Sequence, residues 1–151
     1  MPRLAHALTG AFAAACLFPP ALAQTAAEDV TAFVTRYVDA FNKGDAAALA
    51  SDFYRLPGLD QGAQQARLAK QFEALREDSF GRMTLYGAKS CLHGAASAEV
   101  QVDFAYNYTF GGVMDPPGDQ SSVFRLRKTD DGWRIIATND LKPGQSMVCA
   151  S

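Results

Sequence analysis

The chain has few histidines, few cysteines and no run of like charge. Only two histidines, His6 and His93, occur in 151 residues. A zinc site needs three or four clustered nitrogen, sulfur or carboxylate ligands, and no such cluster stands at ligand spacing. No metal and no cofactor are expected. There is no glycine-rich phosphate loop between a strand and a helix, and no Gly-x-Ser-x-Gly elbow. The 14 Lys+Arg against 16 Asp+Glu give a net charge of −2 without a basic stripe, so nucleic acid is not an expected partner. Hydrophobic residues make up 48%, too many for a wholly disordered chain. One domain plus a leader fits the length.

Residues 1–23 read as a secretory signal peptide. Arg3 supplies the positive start, and Leu8 to Leu17 is an apolar stretch. Pro19-Pro20 is expected to break any helix before Ala21-Leu22-Ala23, a small-x-small cleavage site. The cut is expected between Ala23 and Gln24, placing the mature protein in the periplasm or outside the cell. The apolar stretch before Pro19 falls short of the roughly 20 residues that span a bilayer. No stable membrane insertion is therefore expected after cleavage. Removing the first 23 of 151 residues leaves 128, enough for one core, forming a domain over 24–151.

Cys16 leaves with the leader, and Cys91 and Cys149 remain. In an oxidising compartment the pair suggests a disulfide that pins the C-terminal tail to the sheet. Two free thiols, or a bridge between chains through the tail, are the alternatives.

Val30, Phe33, Val34, Tyr37, Val38 and Phe41 recur at helical spacing, predicting a helix over 26–43. Thr25 and Glu28 have capping-box spacing, and Gly44 suits the helix end. Asp45 and Asp60 are placed to cap helices over about 46–53 and 61–76, the latter with Leu68, Phe72 and Leu75 on one face. Beyond Asp78 the period becomes two. Strands are predicted over 82–92, 97–110, 120–128 and 132–139, with an Asp-Gly hairpin turn at Asp131-Gly132. In the second strand Val100, Val102, Phe104, Tyr106, Tyr108 and Phe110 face one way. Glu99, Gln101, Asp103, Asn107 and Thr109 face the other, expected to be solvated or dimer-forming. Gly111 to Gly118 reads as an irregular loop and 141–151 as an irregular tail. The class is α+β: three N-terminal helices packed on a curved, mainly antiparallel four-stranded sheet.

Two stretches carry a family resemblance. They are VTRYVDAFNKGDAAALA, Val34 to Ala50, and VFRLRKTDDGWRIIATND, Val123 to Asp140. With the order of elements between them, the chain resembles the nuclear transport factor 2-like superfamily, which includes ketosteroid isomerase and the SnoaL-like polyketide cyclases. The resemblance implies a cone-shaped fold with a cavity at one end. It does not choose among isomerisation, cyclisation, dehydration and ligand binding.

An isomerase of the ketosteroid type needs a carboxylate base and an oxyanion donor in an apolar cavity. The resemblance places the base where this chain has Phe53-Tyr54-Arg55-Leu56-Pro57, and a second acid near Ser122, so both acids are expected to be missing. Cys91 and His93 lie two apart, the spacing of a thiolate–imidazole pair. A turn position for His93 and oxidation of Cys91 speak against that pair. The aromatic set is more suggestive. Tyr37, Tyr54, Tyr86, Tyr106, Tyr108 and Trp133 are the candidate ligand-binding residues. Tyrosine combines an apolar ring with a hydroxyl that needs a partner when buried. The leading expectation is an exported protein that binds a small apolar or aromatic ligand, pairs with itself as a homodimer, or both, with no catalytic set. The alternatives are a metal-free cyclase or dehydratase using pocket tyrosines and water, and an interaction module of an envelope assembly.

Overall fold

The computed structural model describes residues 20–110, 113–114 and 118–149, with side chains over 29–109 and 120–149. Helix α1 spans Pro20–Lys43, α2 Ala46–Asp52 and α3 Gln61–Glu77. The strands are β1 (Phe80–Leu92), β2 (Ser97–Phe110), the short β3 (Val113–Met114), β4 (Gly118–Thr129) and β5 (Gly132–Asp140). The main sheet is antiparallel in the order β1-β2-β4-β5, and β3 pairs with the end of β2. Three helices pack on this four-stranded sheet, as the periodicities require. Among the described residues, no helix is long and apolar enough to cross a membrane.

The α1 stripe is the centre of the core. Val30, Phe33, Val34, Tyr37, Val38 and Phe41 are all buried. They meet Val100, Val102 and Phe104 on one face of β2. Asn42 fixes the end of α1 to the sheet by acting as a substitute strand. Its Nδ2 donates to the Met83 carbonyl at 2.9 Å, and its Oδ1 accepts from the Met83 N–H at 2.7 Å. Gly44 then turns the chain at φ +67°, a region other residues enter at a steric cost. Asp45 and Asp60 cap α2 and α3 as read, accepting from Ala48 N–H at 2.9 Å and Ala63 N–H at 2.8 Å.

Four expectations are corrected. Helix α1 begins at Pro20, six residues before the predicted start. Proline's missing N–H is no loss in a first helical turn, so Pro20 opens this helix instead of breaking it. Thr25 and Glu28 consequently lie inside the helix and do not cap it. Residues 1–19 of the expected leader lie outside the described residues. The segment read as an irregular loop contains β3, which reverses onto β2 by pairing Phe110 with Val113. Gly111, Gly112 and 115–117 lie outside the described residues.

The fourth correction concerns the second face of β2. Gln101 and Asn107 are buried there, and Asp103 is half-buried. The tail covers part of this face. Gln101 Oε1 accepts from the Met147 N–H at 2.7 Å and from the Ser146 hydroxyl at 3.2 Å. Lys89 Nζ donates to the Met147 carbonyl at 3.0 Å, and the Met147 side chain is buried. Cys149 stands at disulfide distance from Cys91, with a Cα–Cα separation of 5.4 Å. Strand periodicity placed these polar residues on the outer face correctly. It could not register that an irregular segment without secondary structure would cover them.

Candidate functional site

A cavity of about 220 Å³ lies between α3, the inner face of the sheet and the α2–α3 connection. Its wall follows from strand and helix periodicity. On β2, Val102, Phe104 and Tyr106 point into it, each two residues from the next. On β4 the same spacing delivers Gln120, Ser122 and Phe124, and on β5 Thr138 and Asp140. These rows lie side by side because Phe104 pairs with Gln120, Ser122 with Asp140, and Phe124 with Thr138. Helix α3 contributes Gln64, Arg67, Leu68 and Gln71, one face at i, i+3, i+4 and i+7.

Tyr54 reaches the cavity because its backbone is clasped to β5. The Ile135 N–H donates to the Phe53 carbonyl at 2.6 Å, and the Arg55 N–H donates to the Ile135 carbonyl at 2.8 Å. Tyr54 thereby forms an isolated parallel bridge with Ile135. Its hydroxyl meets the Tyr37 hydroxyl at 2.9 Å. Tyr37 comes from the α1 stripe, held edge-on against Phe124 with ring centroids 5.2 Å apart.

Burial pushes the Tyr37 hydroxyl well above its ordinary pKa, and the neighbouring Tyr54 and Tyr106 add to the shift. Burial also raises Tyr54, while the hydrogen bond from Tyr37 and the positive charge of Arg67 pull it back. Tyr106 is pushed up to about 12, chiefly by burial, with Tyr108, Tyr54 and Asp140 adding to the effect. All three phenols are therefore neutral donors at physiological pH. One hydroxyl of the Tyr37–Tyr54 pair donates to the other, and the accepting hydroxyl keeps its own proton for a further partner.

A carboxylate lines the same cavity. Asp140 lines the cavity at its exposed rim, and its Oδ1 accepts from the buried Ser122 hydroxyl at 2.6 Å. The two positions compared with the family's acids hold no carboxylate in this sequence, and Asp140 lies at neither of them. The position compared with the family's second acid is Ser122, and its cross-strand neighbour on β5 supplies the carboxylate. Arg67 stands exposed at the same rim, and no ion pair is formed by it among the described residues.

Of the six candidate ligand-binding residues, Tyr37, Tyr54 and Tyr106 line the cavity. Tyr108 is half-buried, packing edge-on against Phe80 and Tyr106 beside it. Trp133 is buried in the core, where its Nε1–H donates to Asp29 Oδ2 at 3.2 Å. Tyr86 is 58% exposed, beside a register shift between Leu85 and Gly87. The Cys91–His93 pair does not assemble. Cys91 faces Cys149, and His93 Nε2 lies 3.5 Å from Glu99. Gln64, Arg67, Gln71 and Asp140 were not read from the sequence, and Ser122 was read only as the position of a missing acid. The one available signal was that Gln64, Arg67 and Gln71 share the helix face of Leu68.

No protein-family description matches the chain, and neither does any curated protein. Solved structures do match. One is a nuclear transport factor 2-like protein with a cystatin-like fold from Novosphingobium aromaticivorans. It is 20% identical, with a TM-score of 0.66 over 84% of this chain and 88% of that one. Aln2 from a Streptomyces species is 16% identical, with a TM-score of 0.60 over 82% of this chain and 92% of its own. A ketosteroid isomerase-like protein from Erwinia carotovora atroseptica is 22% identical, with a TM-score of 0.51 over 82% and 96%. Identities this low establish the shared architecture and leave the chemistry to the residues themselves.

Proposed function

We propose that this chain, which has the nuclear transport factor 2-like fold, binds a small ring-sized molecule in its cone pocket. The observation that carries this reading is the Tyr37–Tyr54 hydroxyl pair, 2.9 Å apart, facing a cavity of about 220 Å³. A dry apolar cavity of about 150 Å³ is enough to hold benzene. Here Leu68, Met83, Val102, Phe104 and Phe124 supply apolar wall, and the phenols supply donors. The arrangement suits an aromatic or alicyclic body carrying one carbonyl. Acetophenone is a matched probe. Titration calorimetry should show it binding to the whole chain, and Tyr54→Phe should weaken it about tenfold, the value of one lost hydrogen bond. Unchanged affinity in Tyr54→Phe would remove the phenol pair from the site.

Asp140 favours a second reading, proton transfer of the isomerase, cyclase or dehydratase type. A carboxylate and a phenol lining one cavity can take a proton from carbon and steady the resulting enolate oxygen. Methyl-deuterated acetophenone would report this by NMR as deuterium wash-out. The enzymatic reading expects wash-out that Asp140→Asn abolishes. Wash-out no faster than in buffer leaves the binding reading alone.

The wider reading is an exported protein of the periplasm or the medium. The Cys91–Cys149 pair at disulfide distance supports it. Homodimerisation, if it accompanies binding, would use the part of the outer sheet face that the tail leaves open.

A further inference from the structure

Helix α3 brings one cation to the cavity. Arg67 is the single positively charged residue among the described residues of the wall, and it is exposed. Among the described residues it forms no ion pair. Asp140 lines the same cavity without pairing with it, and Asp140 Oδ1 is engaged by the Ser122 hydroxyl at 2.6 Å. The two charges act on different phenols. The positive charge of Arg67 eases ionisation of Tyr54, and the negative charge of Asp140 opposes ionisation of Tyr106. Of the pocket phenols, Tyr54 is therefore the one that feels the cation. Its side of the cavity gathers donors: a guanidinium, which has no acceptor atom, and the proton that the hydroxyl pair leaves over.

We propose that Arg67 is a ligand-binding residue and that the pocket's guest is a small ring compound bearing a carboxylate. The proposal rests on the pocket reading above and narrows its carbonyl to an anionic one. An ionised carboxylate only accepts, so it matches a wall that only donates. The planar guanidinium fork can take its oxygens, and a phenol can donate to one of them. The apolar wall, with Val102, Phe104 and Phe124, receives the ring. Arg67 is exposed, so water weakens the attraction, and the gain over a neutral ketone falls at the lower end for a charged hydrogen bond, about tenfold in affinity.

Benzoate and acetophenone are close in shape and differ in charge. In calorimetric titrations of the whole chain at neutral pH and low salt, benzoate should bind about tenfold more tightly and should displace acetophenone. Arg67→Gln should erase the preference. Lys70→Gln makes the same charge change on the same helix outside the cavity wall and should leave the preference intact. Both positions are exposed, and circular dichroism checks the folding of each variant. Equal or weaker binding of benzoate would overturn the proposal and leave the pocket reading standing. So would a preference that survives Arg67→Gln, one that Lys70→Gln removes equally, or benzoate that binds without displacing acetophenone. Failure of both compounds to bind would remove the pocket reading, and this proposal with it.

Discussion

At Tyr106 the cost of ionisation becomes measurable. Its pKa is raised from 10.0 to about 12 by burial, with Tyr108, Tyr54 and Asp140 adding to the effect. The folded value exceeds the unfolded one, so the unfolded chain gives up this proton first as pH rises. The contribution is complete below about pH 10 and is lost as pH climbs through about 12. Denaturant midpoints measured from pH 9 to 12 should fall across that window, and Tyr106→Phe should flatten the fall; equal slopes for both proteins would contradict the assignment. Individual residues were legible where periodicity exposes them. Tyr37 and Phe41 belong to an unbroken apolar stripe, and Tyr106 to an alternating strand. Gln64, Arg67 and Gln71 were not legible, because polar residues on a helix read as its solvated side. Asp140 was missed by one position. The strand was expected to end at 139, and it continues to Asp140, which becomes pocket wall.

Among the elements, the irregular tail departs furthest from its reading. Its lack of helix or strand was readable from composition. Its attachment through Cys91 and Cys149 was readable too, but its docking on Gln101 and Lys89 was not, because those hydrogen bonds join residues far apart in sequence. Linking Cys91 to Cys149 closes a loop with a sequence separation of 58. In the chain-entropy description such a loop stabilises by roughly 4 kcal/mol. Cys149→Ser should lower the unfolding free energy by about that amount in urea, and reductant should bring the unaltered chain to the same midpoint. No effect of either would mean that the thiols are free. The helices were legible with less error, because Asp45, Asp60 and Gly44 act through bonds within their own turn.

For the whole molecule, the expected export has a mass signature. Protein recovered from the periplasm should have lost residues 1–23, and intact mass spectrometry under native conditions would report the truncation and the subunit number together. A retained leader would refute the cut after Ala23. Such a cut removes only the first turn of α1 and leaves the stripe from Val30 to Phe41 in place. The clasp of Phe53 and Arg55 on Ile135 has a consequence for how copies of the chain can meet. It occupies the middle of the outermost strand on one side of the sheet. The opposite border, β1, is interrupted by register shifts at Phe80/Arg82 and Leu85/Gly87. Neither margin offers a long straight row of free amides for another strand to zip onto, so the fold is guarded against growing into fibrils by lateral addition.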